Sequence, residues 1–412
     1  MLVDLEWGPR AGGHVKCWER FAEAAAMVPD AVDLTVYFLG HAEGEIEVAS
    51  NARYRLLAPL LGTNRFRLLK QGAGDTDLAP YHPKLARLLA EHDVLHATDV
   101  FTFARTALRV AQRNRLPFVT SIHTDVAAFT RVYAREIIER ATSRAWMRRL
   151  LLERLDLPDR FARQMGRRVA AMVAASDRVL VSRPSDRALA AKLVGAERVS
   201  RLRRGVDSER FSPRHRDQER LRRHFGIPED RPILLFAGRI DDSKRAMVAA
   251  EAARKLMDAG HPVHSLFVGE GADMEGIRRL LGPTATLPGS LSQDMLAWIY
   301  ASADVFVFPS ESEVMPNVVA EAKASGLPVV VSARDGGAQL VERSGVDGIV
   351  VQGRDPADWA RAIAPLVADA VKRAEVAYQA RKSVIERWPS WLDVLRADLL
   401  PVWQAAARQR RA

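Results

Sequence analysis

Short apolar runs rich in β-branched and aromatic residues alternate with helix-patterned segments, and this alternation constrains the fold more than any other feature of the chain. The runs begin at Leu34, Val94, Phe118 and Val179, and again at Ile233, Val263, Val305 and Val329. Strands separated by helix-length segments argue for a parallel sheet in each half. The expected class is therefore α/β. A chain of 412 residues exceeds what one hydrophobic core usually holds, so two domains are expected. We place them at residues 1–205 and 206–385, with residues 386–412 as a terminal helix crossing back to the first. A glycine and a proline, Gly205 and Pro213, lie in the expected joint and permit a hinge.

Ligands of open α/β sheets sit beyond the carboxyl ends of the strands, so the residues after each run carry the functional information. After the run at Val305 come Glu313 and Glu321, with Met315, Pro316, Asn317 and Val318 between them. Pro316 suits the first helical position, because its missing N–H costs nothing there, and the backbone donors that follow can face an anion such as a diphosphate. After the run at Ile233 come Gly238, Arg239 and Lys244. Glycine lets the backbone turn close to a ligand, and two cations suit a diphosphate leaving group. Taken singly, an acidic residue near a helix start or a basic pair after a strand is ordinary solvated surface. Their order within one strand-helix repeat gives them weight.

Five ordered stretches resemble the family-4 retaining glycosyltransferases: Gly238-Arg239-x4-Lys244, Val268-Gly-Glu-Gly271, Leu287-Pro-Gly-Ser-Leu-Ser292, Ala303-Asp304 through Ser310, and the Glu-x7-Glu pair Glu313 and Glu321. The resemblance is densest from Arg231 to Val351 and implies a GT-B fold of two Rossmann-like domains with parallel sheets facing across a cleft. It implies that Arg239 and Lys244 hold the donor diphosphate, Glu321 the ribose hydroxyls, and Glu313 the transferred sugar and its phosphate side. Backbone amides from Met315 to Val318 would complete that cradle. Gly12 and Gly13 resemble the family's glycine loop near the phosphates, and His123, in a His-Thr-Asp pattern, would face the sugar. The implied catalytic group is His123, Glu313, Arg239 and Lys244. The implied reaction is retaining transfer of a hexosyl unit from a UDP- or GDP-sugar to a hydroxyl of a lipid, lipid-linked or polysaccharide precursor. The resemblance further implies that the acceptor would attack from the face the diphosphate leaves, with the leaving phosphate taking the proton.

Three positions depart from the family pattern. Val314 stands where glycine is usual, Arg245 where a small residue or glycine follows the lysine, and Gln339 where a glutamate often follows Gly336-Gly337. A same-fold epimerase or phosphorylase, or a non-catalytic basic binding protein, are the competing readings. No Gly-x-Gly-x-x-Gly fingerprint is present, which counts against an oxidoreductase.

Net charge is +10, and its main source is the stretch from Arg131 to Arg168, with eleven arginines against five acids. Cations alternate there with Trp146, Leu150 and Leu151 at helical spacing, a pattern that can lie on an anionic membrane surface. No nucleic-acid motif accompanies it, so nucleic acid is not an expected partner. Asp75-Thr-Asp77 has the form of a metal-binding pair but follows no strand, and neither metal nor resident cofactor is expected. The single cysteine, Cys17, and the lack of an amino-terminal signal pattern place the expected site in the cytoplasm, peripheral to the inner membrane face.

Overall fold

The structure, a computed structural model, describes residues 1–8, 11–66, 75–123, 126–311, 315–334 and 336–411. The chain divides into two units, one of Met1–Arg203 with Leu392–Ala412 and one of Arg204–Trp391.

The first unit is built on an eight-stranded sheet: β1 (Leu2–Glu6), β2 (Leu34–Leu39), β3 (Gly44–Ala49), β4 (Ala52–Leu57), β5 (Leu95–Ala97), β6 (Phe118–Ile122), β7 (Arg178–Val181) and β8 (Val199–Arg201). Their spatial order is β3-β4-β2-β1-β5-β6-β7-β8. The β3–β4 hairpin at one edge is antiparallel, and the other pairings are parallel. Strand order reverses between β1 and β5, so the crevice at the carboxyl ends of those two strands is the expected ligand position. Leu2, Tyr37, Phe103 and Phe118 are buried in the core on this sheet. The carboxyl-terminal segment is fixed to the same unit by the Arg203 guanidinium, 2.7 and 3.1 Å from the two Asp398 oxygens, and by the Trp403 indole, which donates to His96 Nδ1 at 2.9 Å.

Asp4, fully buried in β1, accepts the backbone N–H groups of Asp77 and Phe103, each at 2.9 Å. Burial, and after it the neighbouring Asp99 charge, pushes its carboxyl well above the ordinary range. Burial likewise raises Asp99 to about 6. Asp77 accepts from the N–H groups of Leu60, Leu61 and Ala79 at 2.9–3.0 Å. Asp75 accepts from the Thr63 hydroxyl at 2.8 Å and the Asn64 N–H at 2.9 Å. The Asp75-Thr-Asp77 pair thus clamps one loop onto another through backbone and hydroxyl donors.

The second unit holds a six-stranded, all-parallel sheet: β9 (Ile233–Ala237), β10 (His264–Val268), β11 (Ala285–Gly289), β12 (Val305–Phe308), β13 (Val329–Ser332) and β14 (Ile349–Val351). Their order is β11-β10-β9-β12-β13-β14, which reverses between β9 and β12. Helices cover both faces, and Leu235, Phe236, Phe267, Phe306 and Trp359 form the centre of the core. At the start of β9, the buried Asp304 carboxylate accepts the Ile233 N–H at 2.8 Å and the Gln218 amide at 3.1 Å. Lys323, with no exposed side-chain surface, donates to the Leu340 carbonyl and pairs with Asp347 at 2.7 Å.

Candidate active site

In the second unit the predicted residues converge on the β9/β12 reversal. β9 ends at Ala237, and Gly238 turns the chain with φ of +147°. Beside it, Gly269 after β10 has φ of +138°, and a Cβ there would lie 1.8 Å from the Gly238 carbonyl oxygen. A Cβ on Gly271 would lie 2.1 Å from the Ile240 carbonyl oxygen. The two strand ends can approach this closely only because these positions are glycine. The corner is pinned by Gly238 N–H donating to Val268 and Ile240 N–H donating to Glu270, at 3.0 and 2.9 Å.

Arg239 leaves this corner with its guanidinium donating to Ser243 Oγ at 2.7 Å and lying 3.4 Å from Asp241. Asp241 caps the turn Asp242–Lys244 by accepting the Lys244 N–H. Arg239 and Lys244 are both half-buried and follow the carboxyl end of β9.

Across the reversal, β12 leads into the helix Asn317–Ala324. Pro316 is not the first helical residue, as the sequence suggested, but the cap: its ψ of 111° is extended, and the helix opens with the Val319 N–H bonding the Pro316 carbonyl at 3.2 Å. A proline carbonyl serves that purpose, and its missing N–H falls outside the helix. No side chain caps this end. Asn317 and Val318 therefore present first-turn N–H groups in the region where Met315 enters. Glu321 lies in the second turn, half-buried; burial, and after it the Glu321 charge, pushes the neighbouring Tyr300 phenol well above its ordinary value. Glu313 and the departure at Val314 lie outside the described residues.

One link between these two loops escaped the sequence. Glu311 accepts a hydrogen bond from the Arg245 guanidinium at 2.6 Å and from Arg354 Nε at 3.1 Å, with Arg334 at 4.0 Å. Arg354, then Arg245 and Arg334, outweigh partial burial and hold the Glu311 carboxyl below the usual carboxylate range. The partners are 66 positions apart in sequence, so no local spacing announces them.

In the first unit the predicted residues gather near the β1/β5 reversal. Gly12 caps the helix Gly13–Ala26 without a side-chain hydrogen bond, and a Cβ on Gly12 or Gly13 would meet nothing within 4 Å. Neither has positive φ, so glycine there leaves open space next to a helix N-terminus rather than relieving strain. His123 follows β6 and is buried, its Nε2 2.6 Å from Ser121 Oγ. Its ring lies edge-on to His14 at 4.8 Å and to Trp18 at 5.6 Å. His14, on the first turn after the glycines, reaches Thr98 Oγ1 after β5 at 3.0 Å. His14 follows the two glycines directly, and no sequence pattern gave it a role. The structure makes it the bridge from that loop to His123. The rest of the His-Thr-Asp pattern, residues 124–125, lies outside the described residues.

The family model for group 1 glycosyl transferases matches residues 217–383. Sulfoquinovosyl transferase SQD2 of Arabidopsis thaliana is 32% identical over 299 residues, which is 70% of this chain and 52% of that protein; the chain spans about half the length of that relative. A GDP-mannose-dependent alpha-mannosyltransferase of Mycolicibacterium smegmatis is 34% identical over 306 residues, 74% of this chain and 72% of that protein. The crystal structure of Anabaena Alr3699/HepE in complex with UDP and glucose aligns over 100% of this chain and 98% of that one, with a TM-score of 0.62 at 17% identity, a likeness of fold. With two parallel-sheet α/β units in the GT-B arrangement of elements and a mannosyltransferase relative matched over most of both lengths, the chain belongs to the group 1 glycosyltransferases.

Proposed function

We propose that this glycosyltransferase moves a hexosyl unit, with retention of configuration and without a metal, from a UDP- or GDP-sugar to a hydroxyl of a lipid, lipid-linked or polysaccharide precursor. The observation that carries the reading is the glycine corner at Gly238, Gly269 and Gly271, with Arg239 and Lys244 emerging from it at the strand-order reversal. Backbone brought that close, with two cations and the uncapped first turn at Asn317 and Val318, suits a diphosphate on which charge grows as the glycosidic bond breaks. Preorganised positive charge of this kind is usually the largest catalytic contribution. Glu321 is assigned to the ribose, Glu313 to the transferred sugar, Gly12 and Gly13 to the phosphate side, and His123 to the reacting centre. The leaving phosphate oxygen takes the acceptor proton.

A thermal-shift panel of nucleoside diphosphates and their sugars tests the donor half. A ligand that binds only the folded state raises the midpoint, by an amount that corresponds to about 2.7 kcal/mol at a hundredfold excess over Kd. Selective stabilisation by UDP or GDP is expected, and indifference to both sinks the donor reading. Nucleotide-sugar hydrolysis that no acceptor accelerates would move the assignment to an epimerase-like enzyme.

The acceptor half draws on the surface between Arg131 and Arg168. Val132, Trp146 and Phe161 are 46–62% exposed there, and Phe129, just before the stretch, is 48% exposed. Glu136, Glu153, Asp156 and Asp159 each pair with an arginine of the same stretch, so the cationic excess is uncompensated locally. Among the described residues no helix is long and apolar enough to cross a membrane. A basic surface studded with aromatic side chains suits peripheral contact with anionic lipid. Sedimentation with vesicles containing phosphatidylglycerol should carry the protein down at low salt and release it as ionic strength rises past the range where the Debye length falls below about 8 Å. Equal sedimentation with neutral phosphatidylcholine vesicles would remove the lipid-surface assignment.

A further inference from the structure

We infer that Glu311 and Arg245 form a positioning clasp that holds the Lys244 corner against the chain just beyond β12 in the arrangement the diphosphate requires. The inference rests on the donor reading above and concerns residues to which that reading gives no part.

Arg245 has φ of +53° and ψ of +40°, in the left-handed region that L side chains avoid and glycine enters freely. It turns the chain from Asp242–Lys244 into the helix Ala246–Asp258, so its conformation sets the direction in which Lys244 leaves the backbone. Glycine would adopt this corner without help, though loosely. Arginine adopts it under tension, and its side chain is tied down at both ends of the fork: one terminal nitrogen donates to Glu311 at 2.6 Å, the other to the Arg354 carbonyl at 2.9 Å. Both partners of the ion pair are largely buried, with 17% and 15% of their side-chain surface exposed. A charge-assisted contact in that setting is directional and poorly screened.

Glu311 is equally well placed on its own side. It stands three residues beyond the end of β12 and two before Glu313 in sequence, so the carboxylate that holds Arg245 ties the Lys244 corner to the β12 strand end. Arg354, after β14, holds the second oxygen through Nε at 3.1 Å. Three strand-end loops are thereby joined through one carboxylate. An exposed staple on a loop tip would carry no such consequence; this one spans the two sides of the strand-order reversal.

The clasp makes a specific prediction of non-additivity. If Glu311 acts by holding Arg245 in its left-handed corner, Glu311 becomes dispensable once the corner is glycine. UDP and GDP are each titrated calorimetrically into the wild type, Glu311→Gln, Arg245→Gly and the double variant. Glu311→Gln alone should weaken the nucleoside diphosphate that the wild type binds by about tenfold, and the same change made on top of Arg245→Gly by no more than about twofold, a coupling within the range of directly interacting pairs. Equal weakening in both backgrounds overturns the clasp, because Glu311 would then act independently of Arg245. A lowered unfolding midpoint with unchanged affinity overturns it too and leaves a stabilising staple. Failure of the wild type to bind either nucleotide overturns the donor reading itself and the clasp with it. If the wild type binds UDP or GDP while the cycle shows no coupling, only the clasp falls.

Discussion

Lys244→Ala should lower turnover of the nucleotide sugar by about 10²–10³-fold while leaving the unfolding midpoint within a degree or two of the wild type. The magnitude is that of removing one preorganised charge partner from a developing oxyanion. The structure supplies the reason the fold should survive. The turn Asp242–Lys244 is capped by Asp241 through the Lys244 backbone N–H, which alanine keeps, and the lysine side chain is half-buried at the end of the sheet rather than within its core. The loss should fall mainly on kcat, since the diphosphate gains charge only as the sugar departs, with a smaller effect on ground-state binding. Lys244→Arg should recover part of the rate, because charge returns without the compact ammonium geometry. Full turnover in Lys244→Ala would remove this lysine from the diphosphate site.

How much of this was legible beforehand follows physical lines. The strands β2, β6, β9, β12 and β13 were readable because they are buried almost throughout and are dominated by apolar, β-branched and aromatic residues. β1 was not read as a strand, since its central Asp4 breaks the run; that carboxylate is tolerated only because Asp77 and Phe103 supply N–H donors from distant loops. The β3–β4 hairpin was also missed, because Gly44–Ala49 and Ala52–Leu57 alternate polar and apolar residues at a sheet edge. The strand-end residues Gly238, Arg239 and Lys244 were readable from order and spacing. Their supports were not: Glu311 finds Arg245 across 66 positions, and His14 finds Thr98 across 84. Arg245 shows the division well. Its departure from glycine was visible in the sequence, whereas the left-handed corner it occupies and the carboxylate that holds it there required the fold.

The largest loss of stability should come from Lys323, a residue that no sequence pattern marked. Its ammonium is fully enclosed, pairs with Asp347 at 2.7 Å and donates to the Leu340 carbonyl. Asp347 also accepts the N–H groups of Glu342 and Arg343 at 3.1 and 2.8 Å. Burial alone would raise the Asp347 carboxyl, but Lys323 and those backbone donors outweigh it and hold the group below its ordinary value. Lys323→Met keeps the volume and removes the charge, leaving a buried carboxylate without its counter-ion at a cost of about 3–5 kcal/mol. For a unit of this size that is a fall of roughly 10 °C in the unfolding midpoint. Lys382→Met, which breaks the half-exposed pair with Glu386 at 3.9 Å, should cost less than about 1 kcal/mol. The sign with pH follows from the depressed carboxyl: its contribution is present above the unfolded-state value near 4 and is lost as pH falls through the folded value. The gap between Lys323→Met and wild type should therefore be widest near neutrality and close on acidification, as a protonated Asp347 no longer needs the ammonium. A gap that stays constant from pH 7 down to about pH 3 would show that Lys323 stabilises the fold through packing of its alkyl chain and not through charge.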